Sequence, residues 1–419
     1  MPRLTRDRTT WLTYAQLGLW GFFLYGFGPV VPLLRDEQGT SAAVAGLHST
    51  GIAVGALAGG ALFAPAARRL GRGPAIWLGL AGLAAGVAAL GLLRPLPATI
   101  AAVAVVATFG MMVISGVNVV LTAHHGRAAP AALSEANAAC AGMGILAPLV
   151  IGATVDAGLG WRPMMAVEVG LITLVALAAV TFRVRLPRAA PATAAAAAVR
   201  PILDTYRSSR TETVQDLGRR TVLPRAYWIA WVLMAVTGSI EVCLSLWTAD
   251  VLRTHAGLSA GGASAAVAAI VCGMFAGRLA GGRLALRWPP VPLLLAALTV
   301  SLAGFALFWS ASVGWLAVTG LVVLGLGNAL HYPLAISIAL TVAGRAADKA
   351  AGWSSYSVGV GFGIAPVALG WVADGVGPHL AFLLLPAFIA AALLLTVRLG
   401  RALRLPSPTD DRTPVSAAA

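Results

Sequence analysis

Residues 142–156 read GMGILAPLVIGATVD, and residues 360–374 read VGFGIAPVALGWVAD. A single offset of 218 residues (Pro148 to Pro366) carries Ala147-Pro148 onto Ala365-Pro366, Gly152 onto Gly370 and Asp156 onto Asp374. The same offset carries Ser41 onto Ser259, Gly55 onto Gly273, Gly59 onto Gly277, Arg69 onto Arg287, and Gly126-Arg127-Ala128-Ala129 onto Gly344-Arg345-Ala346-Ala347. Single Ala or Gly matches mean little in a chain with 48 glycines; the weight rests on the proline, aspartate and arginine pairs. One gapless register over that length reads as an internal duplication.

Working outward, both copies lie in long apolar runs. The 419-residue chain is 59% hydrophobic and only 11% charged, less than half the charge of a soluble protein of this size. A bilayer-crossing helix needs about 20 apolar residues. On that measure twelve spans are expected: 11–33, 41–64, 73–93, 97–123, 132–155 and 161–182, then 226–250, 260–285, 291–310, 315–341, 350–373 and 379–397. The runs are long and do not alternate, so helices are expected and not a barrel. The first run is too long for a signal-peptide core and reads as a retained span. The fold class is therefore an all-α membrane protein of two six-helix bundles. An even number of spans per copy makes the repeat parallel, about an axis along the membrane normal.

Basic residues set the orientation. With the N-terminus inside, all but four of the 29 Lys and Arg residues fall at cytoplasmic ends or loops; the exceptions are Arg35, Arg94, Arg162 and Arg253. Both termini are expected in the cytoplasm. The domain reading is an N-terminal bundle over 1–186, a cytoplasmic linker over 187–224, a C-terminal bundle over 225–404 and a disordered tail over 405–419. The linker opens on Ala/Pro low complexity and continues Arg-rich, which suits a surface segment at anionic headgroups. A single Lys among the basic residues points to a GC-rich bacterium, hence its inner membrane.

The net charge of +14 does not signal nucleic acid, since the charges punctuate apolar runs and form no basic face. Cys140, Cys243 and Cys272 lie within apolar runs and read as small apolar fillers, without disulfide or metal spacing. Gly142-Met-Gly144-Ile-Leu-Ala147 mimics a dinucleotide fingerprint but follows no strand. There is no Walker loop, HExxH or GxSxG motif. An enzyme is not expected, nor any cofactor or metal.

Gly142 to Gly152 resembles the fifth-span glycine–proline pattern of the major facilitator superfamily, and Gly160-Trp161-Arg162 recurs there at the start of span six. Gly238-Ser-Ile-Glu241 through Trp247, Gly273-Met-Phe-Ala-Gly277-Arg278, and Gly325-Leu-Gly327-Asn328-Ala-Leu-His331-Tyr-Pro333 resemble the fucose-permease-like subgroup. The resemblance implies two bundles rocking about a central site, with spans one, four, seven and ten lining the cavity. One departure is the loop Ala67-Arg68-Arg69-Leu70-Gly71-Arg72. It lacks the acid on which the family builds a cytoplasmic latch, and so does its copy Gly282 to Arg287. Arg69 and Arg287 remain gating candidates as partners for helix carbonyl ends, and Pro148 and Pro366 as gating positions within spans five and eleven.

Ionisable side chains inside a membrane are costly and mark function by default. Glu241 lies near the middle of span seven. Thr237, Glu241, Ser245 and Thr248 share one helix face. An acid held between burial and a neighbouring donor or cation can exchange a proton with each side in turn. Glu168 in span six reads as a structural pairing near the interface. Span four carries Thr108, Ser115, Asn118 and Thr122 on one face, span ten carries Asn328 and His331 with Tyr332 beside them, and span one carries Tyr25 on a glycine-rich face. The substrate and proton candidates are thus Glu241, Asn328, His331, Asn118, Ser115, Tyr25, Thr237 and Ser245. His124 and His125 read as interfacial. The expected function is secondary active transport by alternating access, as proton-coupled uptake of a small polar metabolite or sugar; proton-antiport efflux of a drug or metabolite is the alternative. The expected partners are a small-molecule substrate, protons and the lipid bilayer, with the chain acting as a monomer.

Overall fold

The computed structural model describes residues 4–404 apart from 185, 187–222, 286, 312 and 344–346. The expected tail, nearly all of the expected linker and the repeat residues Gly344, Arg345 and Ala346 lie outside the described residues. Twelve helices are long and apolar enough to cross a membrane. In the first half they are α1 (Arg8–Gln38), α2 (Ala42–Leu70), α3 (Arg72–Leu92), α4 (Leu96–His125), α5 (Ala131–Asp156) and α6 (Pro163–Thr181). In the second they are α7 (Arg225–Thr254), α8 (Ala260–Gly281), α9 (Pro290–Trp309), α10 (Gly314–Ala343), α11 (Tyr356–Val376) and α12 (Pro378–Leu403). No strand occurs among the described residues. Each expected span has its helix.

The ends differ for local reasons. α1 starts earlier than hydropathy suggests because Asp7 caps it, accepting from the Thr10 amide at 2.9 Å. It also runs on through Arg35, Asp36 and Glu37, stopping only at Gly39, whose φ of 61° supplies the left-handed cap. Hydropathy cannot see charged helical residues that project beyond the apolar slab. Two helices are interrupted: α8 breaks at Val267 and α10 at Ala329–Leu330.

Packing repeats the sequence duplication. In the first half α1 packs on α5 and α6, α2 on α4, and α3 on α4 and α6. In the second, α7 packs on α11 and α12, α8 on α10, and α9 on α10 and α12. The glycine pairs match residue for residue. Gly55 lies against the Ala104 carbonyl and Gly273 against that of Val322; Gly59 lies against the Thr108 carbonyl and Gly277 against that of Leu326. Each partner pair is itself 218 apart, so one close helix crossing has been built twice. Among the described residues the three largest contacts between the halves are α2 with α11, α5 with α8, and α1 with α7. The first two exchange under the pseudo-two-fold, and the third maps onto itself.

Candidate functional site

The junction between the halves has two unlike ends. On the face away from the chain termini, hydrogen bonds cross it repeatedly. Arg35 of α1 forks onto Asp250 of α7 at 2.5 and 3.0 Å, and Arg253 of α7 reaches back to Asp36 at 2.8 Å. Asp374, at the end of α11, accepts from the first amides of α2, Ala42 at 2.7 Å and Ala43 at 3.0 Å. Its repeat mate Asp156, at the end of α5, accepts from the hydroxyl of Ser259, the N-cap of α8, at 3.1 Å. Anionic groups at helix N-termini meet both orphan donors and the positive end of the dipole. The paired aspartates and paired serines of the repeat therefore meet across the halves in both copies.

The four arginines that defy the orientation rule are all neutralised on this far face. Besides Arg35 and Arg253, Arg162 pairs with Glu37, and Arg94 lies 3.7 Å from the same carboxylate. Glu37 also accepts from the Trp161 indole at 3.3 Å. The motif Gly160-Trp161-Arg162 thus ties α6 to the end of α1.

Toward the membrane centre the seam continues between α2 and α11. Pro366 has no amide hydrogen, which leaves the carbonyl of Phe362 without its helical donor. Ser49 of α2 supplies one at 2.5 Å, and Thr50 donates to the Gly363 carbonyl at 2.7 Å. Pro148 has no such partner: the positions matching Ser49 and Thr50 are Val267 and Ala268, where α8 breaks. At the α1–α7 crossing Gly28 lies directly against the backbone and hydroxyl of Ser245.

On the terminal face, by contrast, the hydrogen bonds between described residues stay within one half. Arg6 and Tyr14 bind Glu135 at 2.6 and 3.1 Å. Asp7 accepts from His124 at 2.7 Å, and Thr10 meets His125 at 2.9 Å, so both histidines do sit at this interface. Partial burial pushes the Asp7 carboxyl up, but hydrogen bonds from Thr10 and His124 outweigh it and hold the group below its ordinary range. In the other half Tyr227 donates to the Ala350 carbonyl at 2.7 Å and Trp231 to that of Trp353 at 2.8 Å. Arg69 and Arg287 are exposed here and make no ion pair among the described residues. Among the described residues, side-chain bonds tie the halves together on the far face and none does so on the terminal face.

Between these ends lies one charged cluster. Arg278 of α8 donates to the Tyr25 hydroxyl of α1 at 3.1 Å, and its other terminal nitrogen lies 3.9 Å from Glu241 of α7. The guanidinium comes from one half and the phenol from the other. The helical turns of α8 run on to Ala285, so Arg278 sits about two turns from their terminal end, and helix side chains lean toward their helix N-terminus. α8 begins on the far face, so that lean carries the charge toward the membrane centre. Tyr25 is 6% exposed. The Arg278 and Glu241 side chains keep 27% and 25% of their surface open, so the pair is partly exposed, not sealed in packing. Cys140 of α5 lies against Gly21, one turn before Tyr25 on α1.

Of the residues singled out in the sequence, the structure brings Tyr25 and Glu241 together. Thr237 is buried and donates to the Met234 carbonyl of its own helix. Ser245 serves the α1–α7 crossing. His331 is buried within the second half, 3.1 Å from Ser301 of α9, and Asn328 is buried with its amide 3.8 Å from the Met274 sulfur. Ser115 and Asn118 are half-buried; Asn118 and Thr122 line a depression with Arg72 near the terminal face. Gly18 and Gly21 of α1 pack on Met143 and Cys140 of α5 and form a seam, not a cavity wall. Glu168 is fully buried, and neither carboxyl oxygen finds a partner among the described residues, so the expected pairing is not seen among them. Pro148 and Pro366 are buried in mid-helix. The residue that sequence reading missed is Arg278. Its signal in the sequence is an arginine inside an expected span.

The family model of the Major Facilitator Superfamily matches residues 15–355 and 252–418. No curated protein matches the chain. Among solved structures, a bacterial homolog of the human lysosomal transporter Spinster, inward-facing and occupied, superposes with a TM-score of 0.72 at 14% identity, covering 97% of this chain and all of that one, 100%. The nucleoside transporter NupG gives 0.71 at 12% identity, covering 93% and 98%. A D-xylose-proton symporter gives 0.70 at 16% identity, covering 92% and 96%.

Proposed function

The chain belongs to the major facilitator superfamily, and from that footing we propose that it is a secondary active transporter whose coupling proton is carried by Glu241. The reading is proton-coupled uptake of a small polar solute by alternating access, in a bacterial inner membrane with both termini cytoplasmic. The terminal face is then the cytoplasmic one, and the arrangement described is inward-facing. Residues 1–186 and 225–404 are the two moving bodies in this reading, with 187–224 the link between them. The segments around Glu241, Arg278 and Asn328 support keeping the chain near the fucose-permease-like subgroup. The D-xylose-proton symporter shares the fold.

The observation that carries the reading is the Glu241–Arg278 pair, 3.9 Å apart and partly exposed where α8 meets α1 and α7. An acid and a base partly exposed inside a membrane are retained for what they do, since burial alone disfavours both. A proton on Glu241 dissolves the pair, and losing the proton restores it. That alternation links protonation to what else occupies the junction.

The test is flux in proteoliposomes under an imposed pH gradient, with neutral sugars and polyols and their hydroxy-acid counterparts as probes. Gradient-driven accumulation of at least one probe is expected for the parent. Glu241→Gln, which mimics the protonated acid, should lose accumulation while keeping exchange of the same probe. Accumulation by the variant equal to the parent's would rule out the assignment.

A further inference from the structure

The charge count at the junction says more about the solute than the fold does. Among the described residues, the charged groups there are Arg278 and Glu241, flanked by Tyr25 of α1 and Cys140 of α5, which are neutral at ordinary pH. With Glu241 ionised the centre is neutral overall. When Glu241 takes its proton, one full positive charge remains on Arg278, in a region of low dielectric where an uncompensated charge is expensive. Tyr25 offers Arg278 a hydrogen bond but no charge. A proton-loaded carrier holding a neutral sugar would have to pass through its occluded state with that charge stranded. A proton-loaded carrier holding a monoanion would not.

The guanidinium is also set up as a binding group. It has five N–H donors in a planar fork. One goes to Tyr25, the contact with Glu241 at 3.9 Å is longer than a hydrogen bond, and the side chain keeps 27% of its surface open. Among the described residues the remaining donors of the fork have no hydrogen-bond partner. A carboxylate fits such a fork in bidentate fashion.

We propose that the solute is a small organic monocarboxylate, that Arg278 is its anchor, and that one proton on Glu241 accompanies each anion. This rests on the transporter reading above and narrows it. Proton and anion assist each other: a proton on Glu241 frees the guanidinium, and an anion on the guanidinium displaces Glu241 and favours its protonation. Both the empty and the loaded centre are neutral, so the cycle moves no net charge. A dianion would leave one negative charge over and is disfavoured by the same count.

The test uses the full-length chain in proteoliposomes with a trapped pH dye. The probes are glycerate, gluconate and lactate, each beside its neutral counterpart glycerol, glucose or propylene glycol, with glucarate and inorganic phosphate as dianionic arms. The expected result is that one or more monocarboxylates are carried inward with protons. The neutral counterparts and dianions should be carried far less, and the rate should not change when valinomycin and potassium set the membrane potential. Arg278→Gln should carry the acids about tenfold to a hundredfold more slowly, the loss expected for a charge-assisted hydrogen bond. Arg278→Lys keeps the charge without the fork and should fall between. Matching thermal unfolding and gel-filtration profiles guard against misfolding, and the acid-to-neutral preference within each variant is the readout that a packing role would not move. Proton-coupled movement of the neutral members overturns the anion assignment and leaves the transporter reading intact. An unchanged preference for acids in Arg278→Gln overturns the assignment of Arg278 as the anchor and also leaves the transporter reading intact. Movement of no acid and no neutral probe overturns both.

Discussion

At the scale of single residues, the molecule places full charges against partial ones. Arg278 is a full charge answered by a carboxylate at 3.9 Å and a phenol at 3.1 Å. Asp374 is a full charge answered by the backbone donors that open α2. A carboxylate at a helix N-terminus is worth about 0.3–1 kcal/mol when exposed and up to ~2 when partly buried. Asp374→Asn keeps an acceptor but gives up the charge. It should shift the closed far face toward opening by roughly two- to thirtyfold, read as faster labelling of a cysteine placed at Ala43 by a membrane-impermeant maleimide. Asp156→Asn should do less, since Asp156 binds a side-chain hydroxyl where Asp374 binds two amides. Equal labelling rates for parent and Asp374→Asn would mean that this cap does not hold the far face shut.

At the scale of elements, helices touch where side chains are missing. Gly28 leaves no room for a methyl beside Ser245, so α1 and α7 cross with their backbones nearly in contact. Forcing a side chain into a packed crossing costs about 1–3 kcal/mol. Gly28→Val should push the far ends of α1 and α7 apart. The mutant should accumulate in the form open to the far face and lose solute exchange, because it cannot close behind its load. The α2–α11 seam makes a milder prediction. Ser49→Ala leaves the Phe362 carbonyl unanswered where Pro366 offers no hydrogen, and should weaken closure by about 1 kcal/mol, or roughly fivefold in the same labelling assay. The two prolines are equivalent in sequence but not in effect, because only α11 meets a hydroxyl opposite its break.

At the scale of the whole molecule, two copies of one six-helix plan meet about a pseudo-two-fold, and in the proposed reading they rock about it. Far-face bonds cross the junction, while the terminal-face bonds of the described residues do not. Closing one face should open the other. Spin labels at Arg69 and Arg287, repeat mates exposed on the terminal face, report on one end; labels replacing Asp36 and Arg253 report on the other. In Gly28→Val the terminal-face distance should shorten as the far-face distance lengthens. If both distances stay fixed, the two halves do not rock. Should the far face open with no closure of the terminal face, the halves move by some hinge other than the one inferred.

Twelve spans and a parallel duplication were legible in the chain because hydrocarbon solvent leaves a strong local mark: each crossing segment must be apolar over its length, and a duplicated packing plan must keep its glycines in register. Glu241 and Tyr25 were legible as polar side chains in such segments. What those residues face depends on how helices rotate and which halves meet, and that is set by contacts between residues hundreds of positions apart. Hence His331 and Asn328, which share a helix and a polar character with a site residue, turned out to pack within their own half. Hence also Arg278, in full view on α8, had no meaning until α1 and α7 brought Tyr25 and Glu241 to it. Local hydropathy decides that a helix crosses the membrane; only the three-dimensional meeting of helices decides where a buried charge finds its counter-charge.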